Sequence, residues 1–592
     1  MTFEIAFVLI LLVAATYLFV TDHVTYDVTA IIIMVSLLVS GILTPQEGLS
    51  GFSNAATVTV AAMFVLSAGI RRTGILNSAG DFFSGRMQQN FNLWLLMLLV
   101  FIGFVSAFIN NTAAVAIFIP VVMNISTRVG VSPSKLLMPL SFAGMFGGVC
   151  TLIGTSTNIL VSSIAVERGL DAIGMFEFTG MGLIFFVSGL IFMFAYGIKM
   201  IPNRRAQDDL TKDFEMQNFL TDIIINSKSD LVGKVFDKKE LTEHLDLDVI
   251  RVFKEDMDSS AQRNKVKIQT GDIIRIRGNK DEIKKLVKRE DISLKPPREW
   301  ADVDLKRGQD ALVEIVVAPE TGLVGTSLKE YNFYEKFGAV PLAIRHKESI
   351  KHNELSDIKL SSGDTLLLSM DSERLNEIES EPSVIMVTDP DIISQRESKT
   401  PIALLIIAGV VLTAAIGVTS IVISAVTGVV LMILTGCLKT SEAYEAVNWK
   451  VVMLLAGVLP LGTAMDKTGT AELLANGMIH GLADFGPTIL MSGFFVITLI
   501  ITAVMSNNAS AALLAPIAIE SATNLGVQPE PFLYAVTFAA SLSLITPFGY
   551  QTNTMIYGPG QYKVTDFLKV GLVLNLIFWV LATVFIPILW PF

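Results

Sequence analysis

The chain has 592 residues, of which 52% are hydrophobic and 17% charged, with a mean hydropathy of +0.59. A water-soluble protein of this length needs far more charge to cover its surface, so most of the chain is solvated by lipid. That excludes a disulfide scaffold, a nucleic-acid binder and an ordinary soluble enzyme. The two cysteines, Cys150 and Cys437, lie in apolar runs and offer neither a disulfide framework nor a thiolate metal cluster.

Charge divides the chain into three. Residues 201–400 carry 32 of the 44 Lys and Arg and 39 of the 55 Asp and Glu. A soluble insert therefore separates two membrane halves, giving segments 1–200, 201–295, 296–398 and 399–592.

The first apolar run, Phe3–Val20, has no basic residue before it and no small-residue cleavage site behind it, so it reads as a retained span. Further runs at 28–43, 54–70, 136–165 and 179–200 are long enough to cross about 30 Å of hydrocarbon. After the insert come 401–418, 421–438, 451–466, 531–556 and 567–590. Two longer runs, 93–125 and 487–523, are each interrupted by a polar cluster and read as re-entrant hairpins. With the insert in the cytoplasm, ten Lys and Arg of the membrane halves fall inside, and only Arg168 and Lys467 outside. This follows the positive-inside rule for a multi-pass protein of the cell (plasma or inner) membrane.

An internal repeat runs through both halves. Asn111 and Asn507 share an offset of 396 with Pro120 and Pro516, Pro133 and Pro529, and Phe142 and Phe538. After a one-residue gap, Gly154-Thr155-Ser156-Thr157-Asn158 aligns with Gly549-Tyr550-Gln551-Thr552-Asn553. Five crossings before the insert reverse the orientation of the second copy. Inverted repeats with broken helices near the bilayer midplane characterise secondary transporters.

Each copy has one polar hairpin tip and one polar break in a span. A broken helix in lipid leaves backbone N–H and C=O groups that cost several kcal/mol each unless they find partners. Helix N-termini suit an anion, and Asn or backbone carbonyl oxygens suit a hard cation such as Na⁺. Asn110, Asn111 and Gly154 are assigned to one cation niche, and Ser506, Asn507 and Gly549 to a second. Asn111, Thr112, Asn507, Asn508, Thr155, Asn158, Thr552 and Asn553 are assigned to the substrate between them. No Lys or Arg lies in these breaks, so anion binding would depend on co-bound cations. The plain alternative is that these residues only cap broken helices and pack closely; pairing of all four clusters by the repeat argues against it. Asp466 and Glu520 read as interfacial carboxylates at span ends.

The paired tips Asn110-Asn111-Thr112 and Ser506-Asn507-Asn508, with Gly154 and Gly549, resemble the signatures of the divalent-anion/sodium symporter family. The resemblance covers both membrane halves. It implies a polytopic α-helical elevator-type carrier, usually a homodimer, that imports sulfate or a dicarboxylate with Na⁺ as coupling ion and without a cofactor. Asn110 and Asn508 stand where that family usually has Ser and Thr, which favours sulfate over a dicarboxylate. The rival readings are a dicarboxylate/sodium symporter, a cation/proton antiporter of the same superfamily and, from another class, a ligand-gated channel, which lacks a Thr-Val-Gly-Tyr-Gly-like filter here.

Within the insert, Leu231-Val232-Gly233 recurs as Leu323-Val324-Gly325, and Gly271-Asp272 as Gly363-Asp364, all at offset 92. The pattern predicts two small α+β domains with strands at Ile223–Ile225, Ile273–Ile276, Val313–Val317 and Thr365–Leu368. Helices are expected at Glu282–Lys288 and Ser372–Ile378, with a linker at Pro296-Pro297. Both copies resemble TrkA-C domains, the C-terminal domains of regulators of potassium conductance. A small regulatory ligand on them and a plain dimerisation or spacer role both stay open; no Gly-x-Gly-x-x-Gly loop supports NAD.

Overall fold

The computed structural model describes residues 2–204 apart from 22–23, 74–81, 84–85 and 88–89, and residues 399–592 apart from 483–485. Between them it describes 220–226, 229–236, 241, 248–253, 266–277, 292–294, 310–319, 321–346, 349–352, 355–371, 374–379, 381 and 383–387. The chain separates into two compact units. One comprises Met1–Arg204, Pro319–Thr321 and Ser394–Phe592; the other comprises Arg205–Ala318 and Gly322–Ile393.

The first unit is helical. Its first half contains α1 (Phe3–Thr21), α2 (Tyr26–Val39), α3 (Pro45–Ser53), α4 (Ala55–Arg72), α5 (Phe91–Phe108), α6 (Asn111–Val129), α7 (Ser134–Gly148), α8 (Ser156–Glu167) and α9 (Thr179–Phe192). The second half contains α10 (Thr400–Ala415), α11 (Ile421–Leu434), α12 (Thr440–Ala446), α13 (Trp449–Thr468), α14 (Thr470–Leu482), α15 (Pro487–Thr502), α16 (Asn507–Leu525), α17 (Glu530–Ser541), α18 (Gln551–Tyr557) and α19 (Val564–Leu589). Among the described residues, Pro45–Ile70, Phe91–Phe108, Thr179–Met200, Trp449–Thr468 and Val564–Leu589 are long and apolar enough to cross a membrane. Six shorter apolar helices accompany them.

Local chemistry sets the helix ends. Asn110 begins α6 by accepting the Thr112 amide, and Ser506 begins α16 by accepting the Ala509 amide. Gly130 and Gly526 end these two helices in the left-handed conformation, at φ of 76° and 70°, where a side chain would be strained. A capping box between Thr44 and Glu47 opens α3. The apolar run expected at 54–70 therefore starts earlier, with Asn54 in extended conformation between α3 and α4. The runs 136–165 and 531–556 each split into two helices, α7 and α8 or α17 and α18, around extended backbone at Thr155 and Tyr550.

Small residues let the helices approach. A Cβ on Gly147 would strike the Gly103 backbone, and one on Gly457 would strike Ala30. The first contact joins α7 to α5, the second α13 to α2; in lipid such close backbone packing supplies much of the association energy. Aromatic rings fill the space behind the breaks, with Phe185 against Phe538 and Phe578, and Phe178 against Tyr534.

The second unit contains two larger antiparallel sheets. β1 (Leu220–Ile225), β3 (Asp248–Phe253), β5 (Ile273–Arg277) and β6 (Ile292–Leu294) run in the order β3-β5-β1-β6. β7 (Asp310–Val317), β8 (Val340–His346), β9 (Ser349–Lys351), β10 (Thr365–Asp371) and β11 (Val384–Met386) run β11-β7-β10-β8-β9. β2 (Val235–Phe236) pairs with β4 (Val266–Lys267). All four strands expected from the sequence lie in the sheets. Short helices occupy Phe333–Phe337 and Leu375–Glu379, the latter overlapping the expected Ser372–Ile378 and running one residue beyond it. The Glu282–Lys288 helix and the Pro296-Pro297 linker lie outside the described residues.

The offset of 92 reappears as hydrogen bonds. Gly233 N–H donates to Ile268 O and Gly325 N–H to Leu360 O; Gly271 N–H donates to Ile225 O and Gly363 N–H to Val317 O. The Asp272 carboxylate accepts the Gln269 amide at 2.8 Å, as Asp364 accepts that of Ser361 at 2.7 Å. Separate cores form around Ile223, Ile274 and Ile276, and around Ile315, Leu366 and Leu368.

Candidate substrate and cation site

Four helix N-termini converge in the membrane unit. A cavity of about 10 Å³ is lined by Asn110, Asn111 and Thr112 at the start of α6, and by Thr155 and Ser156 at the start of α8. Asn507 at the start of α16 and Tyr550 and Gln551 at the start of α18 complete it. Every lining side chain is uncharged and polar.

Contacts across the cavity tie the two halves together. Asn111 Nδ2 donates to the Tyr550 hydroxyl at 2.7 Å, and Thr112 Oγ1 donates to Gln551 Oε1 at 2.6 Å. Tyr550 and Thr155 hydroxyls lie 3.1 Å apart. Ser106 donates to Asn111 Oδ1 at 2.6 Å. Asn507 Nδ2 donates to Thr157 Oγ1 at 2.8 Å, and Asn508 Oδ1 accepts from Ser156 at 3.1 Å and from Thr157 at 2.9 Å. A volume of about 10 Å³ holds one water-sized sphere.

The breaks are braced alike in both halves. Thr151 donates to Ala107 O and accepts the Gly154 amide at 3.2 Å; Thr546 donates to Ala503 O at 2.8 Å and accepts the Gly549 amide at 3.1 Å. A Cβ at Gly154 would strike Gly148, and one at Gly549 would strike the Ser543 hydroxyl and come 2.7 Å from Thr502 O. The two glycines thus let each break press against its hairpin tip.

The residues assigned from sequence separate into two groups. Asn110, Asn111, Thr112, Thr155 and Asn507 line the cavity, and Ser506 caps α16 beside it. Asn508 reaches α8 from just behind, and Gly154 and Gly549 contribute backbone. Asn158, Thr552 and Asn553 do not line the cavity. Asn158 Nδ2 braces Thr151 O at 2.8 Å and Asn553 Nδ2 braces Ser543 O at 3.1 Å. Ser141 donates to Thr552 Oγ1 at 2.8 Å and to Asn553 Oδ1 at 2.7 Å. Asn158 differs from its counterpart Asn553 in one atom: its Oδ1 is buried without a hydrogen-bond partner. An orphaned amide oxygen in such a place costs about 1–3 kcal/mol, and it is a hard donor suited to Na⁺.

Sequence reasoning missed Tyr550, Gln551 and Ser156. The repeat alignment pairs Tyr550 with Thr155 and Gln551 with Ser156, so the positional signal was present although the residue types differ.

A second cavity, of about 90 Å³, lies along the same helices, lined by Ile164, Glu167, Arg168, Thr463, Asp466 and Pro516 among others.

Comparison with known proteins places the chain among transporters. Residues 16–539 match the citrate transporter family, CitMHS. An uncharacterized transporter of Synechocystis is 34% identical over 97% of this chain and 95% of its own. Sodium/sulfate cotransporter 1 of Chlamydomonas reinhardtii is 21% identical over 93% of this chain and 86% of its own. The YdaH transporter of Alcanivorax borkumensis superimposes with a TM-score of 0.45 at 14% identity, covering 98% of this chain and 99% of that one. With the family matched along most of its length, this chain is a polytopic helical membrane protein belonging to the citrate transporter family.

Proposed function

We propose that the protein is a sodium-coupled importer of a small divalent oxyanion, sulfate above all, working by alternating access between inverted repeats, with the insert in the cytoplasm. The observation that carries this reading is the convergence of four helix N-termini on one cavity without a charged side chain. Each N-terminus presents roughly half a positive charge, and neither Thr155 nor Tyr550 caps its helix through its side chain. The positive ends of α8 and α18 therefore meet the cavity without a side-chain cap for an anion to displace. Because dipoles alone leave a dianion poorly balanced, cations beside it complete the site. Asn110, Asn111, Asn158 and backbone at Gly154 serve one niche, and Ser506, Asn507 and backbone at Gly549 the other. Asn111, Thr112, Thr155, Asn507 and Asn508 serve the substrate together with Ser156, Tyr550 and Gln551; Thr552 and Asn553 brace the second break.

Sulfate is preferred because the cavity lacks the arginine or lysine that a citrate trianion would use, and because the cotransporter relative above is named for sulfate. The experiment is uptake of labelled sulfate into proteoliposomes. Accumulation is expected only under an inward Na⁺ gradient. Accumulation that ignores Na⁺ and follows a pH gradient overturns the coupling, and uptake of citrate in preference to sulfate overturns the substrate.

A further inference from the structure

Among the described residues, the polar contacts that fasten α8 to α13 and to the α3–α4 junction gather towards its end away from the cavity. α8 and α16 both begin at the polar cavity, and α8 packs against α16, α4 and α13. Twelve residues on from Ser156, at about 1.5 Å per residue, α8 ends at Glu167 and Arg168, some 18 Å from the site. There the Arg168 guanidinium, with its side chain 9% exposed, pairs with Asp466 on α13 and lies 3.7 Å from Glu520 on α16. It also donates to Pro516 O at 3.1 Å. On the neighbouring turn, Asn54, between α3 and α4, donates to Glu167 Oε1 at 2.6 Å and accepts from the Ser163 hydroxyl at 2.7 Å.

On the far side of Asp466 the anchorage is firm. Its neighbour Lys467 pairs with Glu47 on α3 at 3.0 Å, and α13 packs along α2 and α3. Asp466 and Asn54 thus belong to one braced group of helices, while Arg168, Glu167 and Ser163 belong to the helix that carries Thr155 and Ser156 into the site.

Among the described residues, the other half lacks this arrangement. At offset 395 from Glu167 and Arg168 stand Tyr562 and Lys563. The Tyr562 hydroxyl accepts the Met138 amide at 2.8 Å on α7, and the Lys563 amide donates to Asp566 at 2.9 Å on α19. These contacts reach α7 and α19 and not α3, α4 or α13.

We propose that Arg168–Asp466, with the Asn54 contacts to Ser163 and Glu167, is a one-sided strap that holds the site-bearing helices against α3, α4 and α13. It must part for the site to change the face it opens to. Arg168 is a positioning residue: it touches no substrate and acts through the placement of α8. The cavity of about 90 Å³ beside it, bordered by Thr463 and Pro516, leaves room for the guanidinium to swing when the pair opens. This proposal rests on the transporter reading above and adds a control point to it.

The test joins Asn54→Cys to Ser163→Cys in the full-length protein, whose native Cys150 and Cys437 are buried, with each single variant as control. The 2.7 Å hydrogen bond between the two side chains brings their Cβ atoms close enough for a short, reducible bis-methanethiosulfonate to bridge, which is used beside direct oxidation because a disulfide needs a closer Cβ approach. The reagent is expected to cross-link the pair and to lower Na⁺-driven uptake at least tenfold, with recovery on reduction. Undiminished uptake by the cross-linked protein overturns the proposal, and so does failure of the pair to cross-link. A second readout needs no transport. Adding Arg168→Gln should slow cross-linking several-fold by favouring the parted state, and the exchanged pair Arg168→Asp with Asp466→Arg should restore it; an unchanged rate in Arg168→Gln overturns the strap. If reduced protein takes up no sulfate while cross-linking behaves as expected, the substrate assignment fails and the strap stands.

Discussion

The two membrane halves place the same backbone features at matching positions, yet they treat their polar atoms differently. In the second half the break is sealed: Asn553 spends its amide nitrogen on Ser543 and its oxygen on Ser141. In the first half Asn158 has the same nitrogen brace, to Thr151, and an oxygen with no partner. The first half also supplies five of the eight cavity-lining residues, including all three of its tip residues. The two halves thus share their bracing and differ in their polar contacts, with the first half lining more of the cavity and the second closing it through Tyr550 and Gln551.

This contrast ranks the expected effects of mutation. Asn111→Ala should be the most damaging, because it strands the Ser106 hydroxyl and leaves the Tyr550 hydroxyl with Thr155 alone. Each buried polar group left unpaired costs about 1–3 kcal/mol, so sulfate uptake should fall on the order of a hundredfold and need more Na⁺. Asn507→Ala takes one of two partners from Thr157, which keeps its bond to Asn508, and the loss should be nearer tenfold. Equal losses would mean the halves contribute alike. Tyr550→Phe comes next: it removes the hydroxyl joining Asn111 to Thr155 while preserving the ring, and uptake should drop about tenfold without a change in thermal stability beyond about 1 kcal/mol.

The Asn158 and Asn553 pair sharpens the comparison further. Asn158→Leu should raise the Na⁺ concentration for half-maximal uptake severalfold. Asn553→Leu should act chiefly on stability, lowering it by about 1–3 kcal/mol as Ser141 and Ser543 lose partners, with the Na⁺ dependence held. Na⁺ titrations alongside detergent melting curves separate the two outcomes; a shift in Na⁺ dependence from Asn553→Leu would place the second break in the cation site.

What could be read from sequence follows from helix geometry. Tips were legible because Asn110-Asn111-Thr112 and Ser506-Asn507-Asn508 are polar clusters within apolar runs, with Asn111 and Asn507 at a fixed spacing. The breaks were legible as places but not as contact lists. Residues there were chosen by chemical likeness between copies, which favoured Asn158, Thr552 and Asn553. Each step along a helix turns the side chain by 100°, so the first positions, Thr155 and Ser156 or Tyr550 and Gln551, face the cavity while the next ones turn into the packing. The aromatic ring and long amide of Tyr550 and Gln551 look unlike Thr and Ser, and only their positions tie them to the site. Arg168 was recognised as a charge on the sparsely basic side; its pairing with Asp466 required knowing that α8 meets α13, nearly 300 residues away in the chain.

The smallest expected effect lies in the insert, where the two sheets share their turn hydrogen bonds but the described parts of the second include an ion pair at Lys336 and Glu381, 2.5 Å apart. Burial alone would raise the Glu381 carboxyl, but hydrogen bonds from Lys336 and Ser383 overcome that and hold it below the usual carboxylate range. A carboxyl lowered by folding stabilises the folded state at neutral pH, and that contribution is lost as pH falls through its folded value. Lys336 is about half exposed, at 48%, so solvent screening limits the pair to roughly 0.5–1 kcal/mol. Glu381→Gln should therefore speed hydrogen exchange at β11 severalfold at pH 7. The difference from the wild type should shrink below about pH 4.3 and vanish once the wild-type carboxyl is protonated. A difference that persists at acid pH would trace the effect to packing of Glu381 against Tyr331, 3.1 Å from its carboxylate, instead of to charge.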